Sequence, residues 1–394
     1  MLRVLVVTSR FPDRNRPHLG NFVERQAIEL AGRPGVEVAV AVPVRVSPLG
    51  FGVRRPVRAI LALPREEVWK GMTVFRPRYT AIPRLGGYNA RSLARHLASA
   101  LGEIRRSFPF DVIAAQFFWP EGPAALAAGR ALGVPVSIKA RGADFDQWQA
   151  RRGLAPADLA EADGLLAVSA ELRRRMIDRG LPADHIAVHH TGVDHSLFAP
   201  RDRAGAKAAL GLSGPVLLSA GNLRPHKNPA LAVDVLSRLE GATLLIAGGG
   251  PEAARLRRRI RHLGLEERVR MLGAVPHLQM PALYAAADVT LHTARLEGLA
   301  NVWVESLACG TPVVTTAVGA AAEIIDRPEA GRLAAPDSEA MAAAVREILE
   351  RPPRQTEVAA ASAGFDWVRH AAEAEDHLRA LADRHAAIAP RIIS

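Results

Sequence analysis

Short runs rich in valine, leucine and isoleucine recur along the chain, and between them apolar positions repeat at helical spacing. In the first half, runs at 2–8, 36–43, 111–115, 134–139 and 165–169 predict strands. Residues 22–31, with Phe22, Val23, Ala27 and Leu30 on one side, predict a helix, as do 91–106 and 170–179. In the second half the strands fall at 216–220, 243–247, 269–272, 289–293, 313–316 and 332–334. Helices at 252–263, 341–350 and 365–383 lie among and after them. Runs this apolar suit parallel strands buried on both faces. Strand–helix alternation predicts an α/β protein with doubly wound parallel sheets. One segment breaks the rhythm. Residues 45–84 are basic and cut by prolines, and include Arg54, Arg55, Trp69, Lys70, Arg76 and Arg78. This reads as a loop-rich excursion, either solvated or facing an acceptor or an anionic membrane.

A chain of 394 residues exceeds one typical core and predicts two domains. The polar stretch 201–214, with Gly205, Gly211 and Gly214, is the expected linker. It separates a domain at 1–200 from a second at 215–364, with a terminal helical segment at 365–394. Hydrophobic content of 49% with 23% charged residues describes a globular chain, not a disordered one. No apolar run is long enough for a membrane span. The N-terminus reads as a strand rather than a signal peptide, so a cytoplasmic protein is expected, at most peripheral to the inner face of the membrane. Cys309 is the only cysteine, which excludes an internal disulfide and a cysteine-based zinc site. The net charge of +11 comes with four lysines against 47 arginines. An arginine skew with abundant alanine reflects a GC-rich codon bias, and no nucleic-acid motif accompanies it.

Candidate chemistry concentrates at 295–314, RLEGLANVWVESLACGTPVV. A strand precedes this stretch. It opens as a loop with Glu297 and Gly298, continues as an apolar helix carrying Glu305, turns at Gly310 and resumes as a strand. Ligands of open α/β sheets bind at the carboxyl ends of the strands, and a helix N-terminus there offers unpaired N–H groups to phosphate. Two more loops follow strands in this half. One is Gly221-Asn222-Leu223-Arg224-Pro225-His226-Lys227-Asn228, whose cations suit a diphosphate. The other contains Gly248, Gly249 and Gly250, either a tight turn or a place of close nucleotide approach. In the first half, Gly20 lies between the first strand and helix. His189, His190 and His195 cluster in sequence and read as structural.

The run Glu297-Gly298-Leu299-Ala300, then Glu305-Ser306-Leu307-Ala308-Cys309-Gly310-Thr311-Pro312-Val313-Val314, resembles the signature of family 4 (group 1) glycosyltransferases. The opening, SRFPDRNRPHLGNFVERQAIEL, resembles bacterial polysaccharide-type members. The resemblance implies the GT-B fold, two Rossmann-like domains facing a cleft, with the last helix crossing back to the first domain. It implies a retaining, metal-independent transfer of a hexosyl-type sugar from a nucleotide sugar (UDP- or GDP-linked) to a glycan or lipid-linked acceptor, in surface or exported polysaccharide synthesis. No metal or other cofactor is expected. Glu297 would hold the sugar near its anomeric carbon, and Glu305 the ribose hydroxyls. Lys227 and Arg224 would meet the leaving diphosphate, with the backbone of Gly20, Gly298, Leu299, Ala300 and Asn301. Gly249 and Gly250 would flank the nucleotide.

Departures from the family pattern are Arg141 where relatives carry histidine, Asn222 where they carry arginine, and Thr191 for asparagine. Arg141 stays charged at neutral pH and can grip an anion. Asp144, three residues on, matches the family and joins Arg141 and Glu297 as a candidate catalytic residue. Asp144 and Asp146 form an Asp-x-Asp pair read as coincidental. Two other classes stay open: a sugar-nucleotide epimerase of the same fold, and a binding protein without transfer activity.

Overall fold

The computed structural model describes residues 1–46, 59–82, 86–149 and 159–388. Arg54 and Arg55 lie outside them. The described chain divides into two units, residues 1–190 with 367–394, and residues 191–366.

In the first unit the strands are β1 (Leu2–Val7), β2 (Val36–Ala41), β3 (Val44–Val46), β4 (Glu66–Trp69), β5 (Met72–Phe75), β6 (Arg78–Thr80), β7 (Val112–Ala115), β8 (Val136–Ala140), β9 (Gly164–Ala167) and β10 (Ile186–Val188). Eight of them form one sheet in the order β10-β9-β8-β7-β1-β2-β5-β4, and β3 pairs with β6 apart from it. Every pairing in the large sheet is parallel except β4–β5. The strand order reverses at β1, between β2 and β7. Its core joins β1 and β2 to helix Asn21–Ala31 and to Ala374, Leu378 and Leu381 of helix Trp367–Ile388.

The second unit holds β11 (Val216–Ala220), β12 (Thr243–Ala247), β13 (Val269–Gly273), β14 (Val289–His292), β15 (Val313–Thr316) and β16 (Gly331–Ala334). Their order is β13-β12-β11-β14-β15-β16, all parallel. This is the doubly wound order of a dinucleotide-binding sheet, with its switch point between β11 and β14. Separate apolar clusters contain Leu218, Leu245 and Trp303 in one case and Leu217, Leu244 and Leu291 in the other. Alternate residues of the same strands thus feed different clusters, as strands buried on both faces require.

Two expectations change. The excursion at 45–84 is not simply loop: among its described residues β4 and β5 form a hairpin. Lys70 and Gly71 supply the turn with φ of 49° and 86°, the twist a two-residue connection needs. Three of its described side chains have partners within the unit. Arg76 is buried against Glu67. Trp69 Nε1 donates to Glu24 Oε1 at 2.5 Å, and Lys70 Nζ lies 2.9 Å from the same oxygen. The segment 201–214 is not an open linker either. It carries helix Arg203–Ala209, capped by Asp202 and tied by Lys207 Nζ to Asp288 at 2.6 Å.

Candidate functional site

In the second unit, the loops after β11 and β14 are neighbours because their strands are. Thr293 stitches them together, its hydroxyl donating to the carbonyls of Lys227 (3.1 Å) and Asn228 (3.0 Å). Arg295 N adds a bond to His226 O at 2.8 Å. Lys227 and Glu297, 70 residues apart, thereby form a direct ion pair. Glu297 Oε1 also accepts from His292 Nε2 at 3.1 Å. Burial pushes the Glu297 carboxyl up, but the His292 hydrogen bond and the Lys227 charge outweigh it and hold the group at about 2. Burial takes His292 below the usual imidazole value, against the pull of Glu297. The site is therefore a partly buried carboxylate paired with a partly exposed ammonium, at a sheet's switch point.

The backbone under Glu297 is fixed from the other side. Ala320 N donates to Gly298 O at 2.8 Å. At Gly319 (φ +53°) a Cβ would lie 2.4 Å from Gly298 O and 2.5 Å from Glu297 O. Only glycine allows that approach in this conformation. Leu299 and Ala300 lead into helix Asn301–Ala308, whose N-terminus has no side-chain cap. Trp303 N already bonds Ala300 O at 3.0 Å, which leaves the N–H groups of Asn301 and Val302 for a ligand.

Glu305 projects from this helix into a second pair of contacts. Oε1 accepts from His277 Nε2 at 2.9 Å and Oε2 from Tyr284 Oη at 3.0 Å. The Glu305 hydrogen bond raises the His277 pKa despite burial. Burial, then the Glu305 charge, push the Tyr284 phenol well above its ordinary value. Both oxygens are thus oriented, and each keeps a lone pair for a further donor.

The glycines at 248–250 divide by role. A Cβ on Gly248 would fall 1.8 Å from Gly221 O, and one on Gly250 would fall 2.4 Å from Leu223 O. These two let the β12 loop lie backbone-to-backbone on the β11 loop. Gly249 has open space at its Cβ position. Arg224 and Asn222 are exposed, and Arg224 has no carboxylate partner among the described residues.

In the first unit, Gly20 (φ 74°) precedes helix Asn21–Ala31, which has no side-chain cap. A Cβ there would sit 2.2 Å from Arg10 O. Arg141 and Asp144 meet at the end of β8. Asp144 accepts from Arg141 N (2.9 Å) and Phe118 N (2.6 Å). Burial raises its pKa against those bonds. Arg141 donates from Nε to Gln116 O (2.9 Å), and from Nη2 to Gln116 Oε1 (2.7 Å) and Gln26 Oε1 (3.2 Å). Its guanidinium lies 4.6 Å from the Phe22 ring centre, and burial lowers it to about 10. These two side chains bind their own unit's loops. Asp146 pairs with Arg175, so the two carboxylates of the Asp-x-Asp pair turn to different partners. His189 accepts at Nδ1 from Lys139 Nζ (2.6 Å) and donates from Nε2 to His370 O (2.8 Å).

His292, Thr293, His277, Tyr284 and Gly319 were not singled out from sequence. Two histidines within 20 residues of Glu297 were the available signal, and only pairing across strands and loops gives them partners.

The family model for group 1 glycosyl transferases matches residues 201–364, and that for glycosyltransferase family 4 matches residues 19–197. D-inositol 3-phosphate glycosyltransferase 1 of Catenulispora acidiphila is 30% identical over 358 residues, 82% of this chain and 80% of that one. D-inositol 3-phosphate glycosyltransferase of Mycobacterium tuberculosis is 36% identical over 168 residues, 40% of this chain and 35% of that protein. Among solved structures, sucrose-phosphate synthase from Thermosynechococcus elongatus superposes with a TM-score of 0.76 at 20% identity, covering 97% of this chain and 99% of that one. Anabaena HepE in complex with UDP-glucose superposes with a TM-score of 0.70 at 21% identity, covering 96% and 100%.

Proposed function

The chain belongs to the group 1 glycosyltransferases and has the GT-B fold, and from that premise we propose that it transfers a hexosyl-type sugar from UDP- or GDP-sugar to a glycan or lipid-linked acceptor in surface or exported polysaccharide synthesis. The observation that carries the donor half of this reading is the Lys227–Glu297 pair on adjacent loops at the switch point of the second unit.

Breaking a glycosyl–diphosphate bond places negative charge on the leaving phosphate and positive charge on the sugar. Groups fixed in advance against those charges lower the barrier most. In this reading Lys227 leaves Glu297 for the diphosphate, with Arg224 as a second cation. The uncapped N–H groups at 299–301 complete the anion site. Glu297 then faces the sugar near its anomeric carbon. Glu305, oriented by His277 and Tyr284, receives the ribose hydroxyls. Gly249 flanks the nucleotide across open space. Within the first unit, Gly20 offers a helix N-terminus to an anion, and Arg141 and Asp144 shape the acceptor side. One placed carboxylate does not make the pair a retaining hydrolase uses, which disfavours a Glu297 glycosyl ester.

A second reading concerns the acceptor. The Catenulispora relative is named for inositol 3-phosphate, which favours a small phosphorylated polyol over a growing glycan.

Calorimetric titration with UDP, GDP, ADP and dTDP, for the wild type and Lys227→Ala, tests the donor site. Selective binding of one nucleotide that the variant loses supports it. Equal binding by the variant would remove Lys227 from the site. Nucleotide release with glycan, lipid-linked and polyol-phosphate acceptors then separates the two acceptor readings, and proton NMR of the product reports anomeric configuration.

A further inference from the structure

We propose that His292 is a positioning residue for the transfer, the fixed donor that keeps Glu297 aligned once Lys227 has turned to the diphosphate. This rests on the donor-site reading above. Glu297 Oε1 is shared between two donors of different character. Lys227 ends a flexible stem and must leave when phosphate arrives. His292 cannot leave. It closes β14, and its ring lies edge-on to Trp303 with centroids 5.2 Å apart. In the parallel ladder it is the register partner of Thr315, and its Nδ1 lies 3.3 Å from Thr315 Oγ1.

Those partners assign the ring's hydrogen. A carboxylate accepts only, so Nε2 carries the proton and donates to Glu297 at 3.1 Å. Nδ1 is left as an acceptor facing the Thr315 hydroxyl at 3.3 Å, a hydroxyl that also lies 3.4 Å from Thr316 O. Burial favours the neutral ring, in keeping with one donating and one accepting nitrogen. The carboxylate therefore has one mobile cationic partner and one rigid neutral one on the same oxygen. When the cation moves, the rigid partner alone sets where that oxygen points. Small misplacements of a reacting group are costly in rate, and that is the loss His292 prevents.

The test compares His292→Leu, His292→Gln, His292→Asn and Glu297→Gln. The donor is UDP-glucose or GDP-glucose, following the nucleotide selected by titration, and the acceptor is water or the one that released nucleotide in the screen above; the readouts are kcat from nucleotide release and nucleotide affinity by calorimetry. His292→Leu is expected to lower kcat about 10- to 100-fold with nucleotide affinity unchanged. Glutamine, whose amide nitrogen reaches the place of Nε2, restores most of the rate. Asparagine, whose amide nitrogen sits at the place of Nδ1, does not. If the leucine variant fails to fold, the glutamine–asparagine pair decides. Equal rates for glutamine and asparagine, or wild-type kcat in a folded leucine variant while Glu297→Gln is inactive, overturns the role of His292 alone. Full turnover by Glu297→Gln overturns it together with the reading on which it rests.

Discussion

Glu297 and Glu305 lie on one short loop-and-helix segment, yet their surroundings assign them different work. Glu297 meets the Lys227 ammonium and a buried imidazole. Glu305 meets a phenol and an imidazole that leave it free to accept more hydrogen bonds. Glu297→Ala is expected to abolish transfer while leaving nucleotide affinity largely intact. A folded variant with normal turnover would exclude Glu297 from the reacting centre. Glu305→Ala is expected to weaken nucleotide binding by roughly 1.5–3 kcal/mol, the loss of a hydrogen bond to a charged group. Unchanged affinity in calorimetry would end the ribose assignment. Glu297 is held at about 2, so it stays ionised over the working range of pH. Its contribution to stability is fully present above the ordinary carboxylate value of 4.5 and is lost progressively as pH falls from there through about 2. An acid limb near neutrality in the rate profile must belong to another group.

The motif around Glu297 was readable in the sequence because a ligand site formed by one strand–loop–helix is local. What it touches was not. His292 and Thr315 become partners only because β14 and β15 lie side by side in one register.

Elements set the next level. The loops after β11, β12 and β14 and the turn at 317–320 are layered on each other through glycines that allow backbone contact. The glycine loop at 248–250 therefore has a packing reason at Gly248 and Gly250, and only Gly249 faces open space. Gly319→Ala should push on the carbonyls of Glu297 and Gly298. A loss of about 1–3 kcal/mol in urea denaturation is expected for a strained residue there, with reduced kcat in the folded fraction. An unchanged midpoint and rate would show that the turn yields freely. Strands with continuous apolar runs were legible by pattern. The β4–β5 hairpin was missed because its strands are only four residues each and β4 opens with two adjacent glutamates, Glu66 and Glu67. Its turn depends on a lysine taking positive φ, which no propensity rule favours.

At the scale of the molecule, two Rossmann-like units are built from a chain whose last helix, Trp367–Ile388, belongs with the first unit. That helix is held by histidines kept neutral. His377 Nε2 lies 2.9 Å from Ser137 Oγ, and His370 packs on His189 beside Lys139. Burial takes His370 and His377 each from an ordinary 6.5 to about 4. Between those values the unfolded chain binds protons that the folded chain does not, so stability falls as pH drops from about 6.5 to 4. Each such histidine costs up to roughly 3 kcal/mol at the acid end. Thermal melts at pH 7, 5.5 and 4 should show that decline, and His377→Gln should flatten it. A variant with the wild-type pH dependence would place the acid sensitivity elsewhere.

Hydrophobic periodicity and one twenty-residue signature sufficed, with no coordinates, for the α/β class, two sheets, the glycosyltransferase family and the segment carrying Glu297 and Glu305. Those features are encoded locally, by side-chain period and by residues close in sequence. Only the tertiary structure decided that Lys227 rests on Glu297, that His292 shares its oxygen, that Arg141 and Asp144 bind their own loops, and that Arg76 is buried. Each depends on which strands become neighbours, and that pairing is settled by burial across the whole sheet rather than by any one stretch of chain.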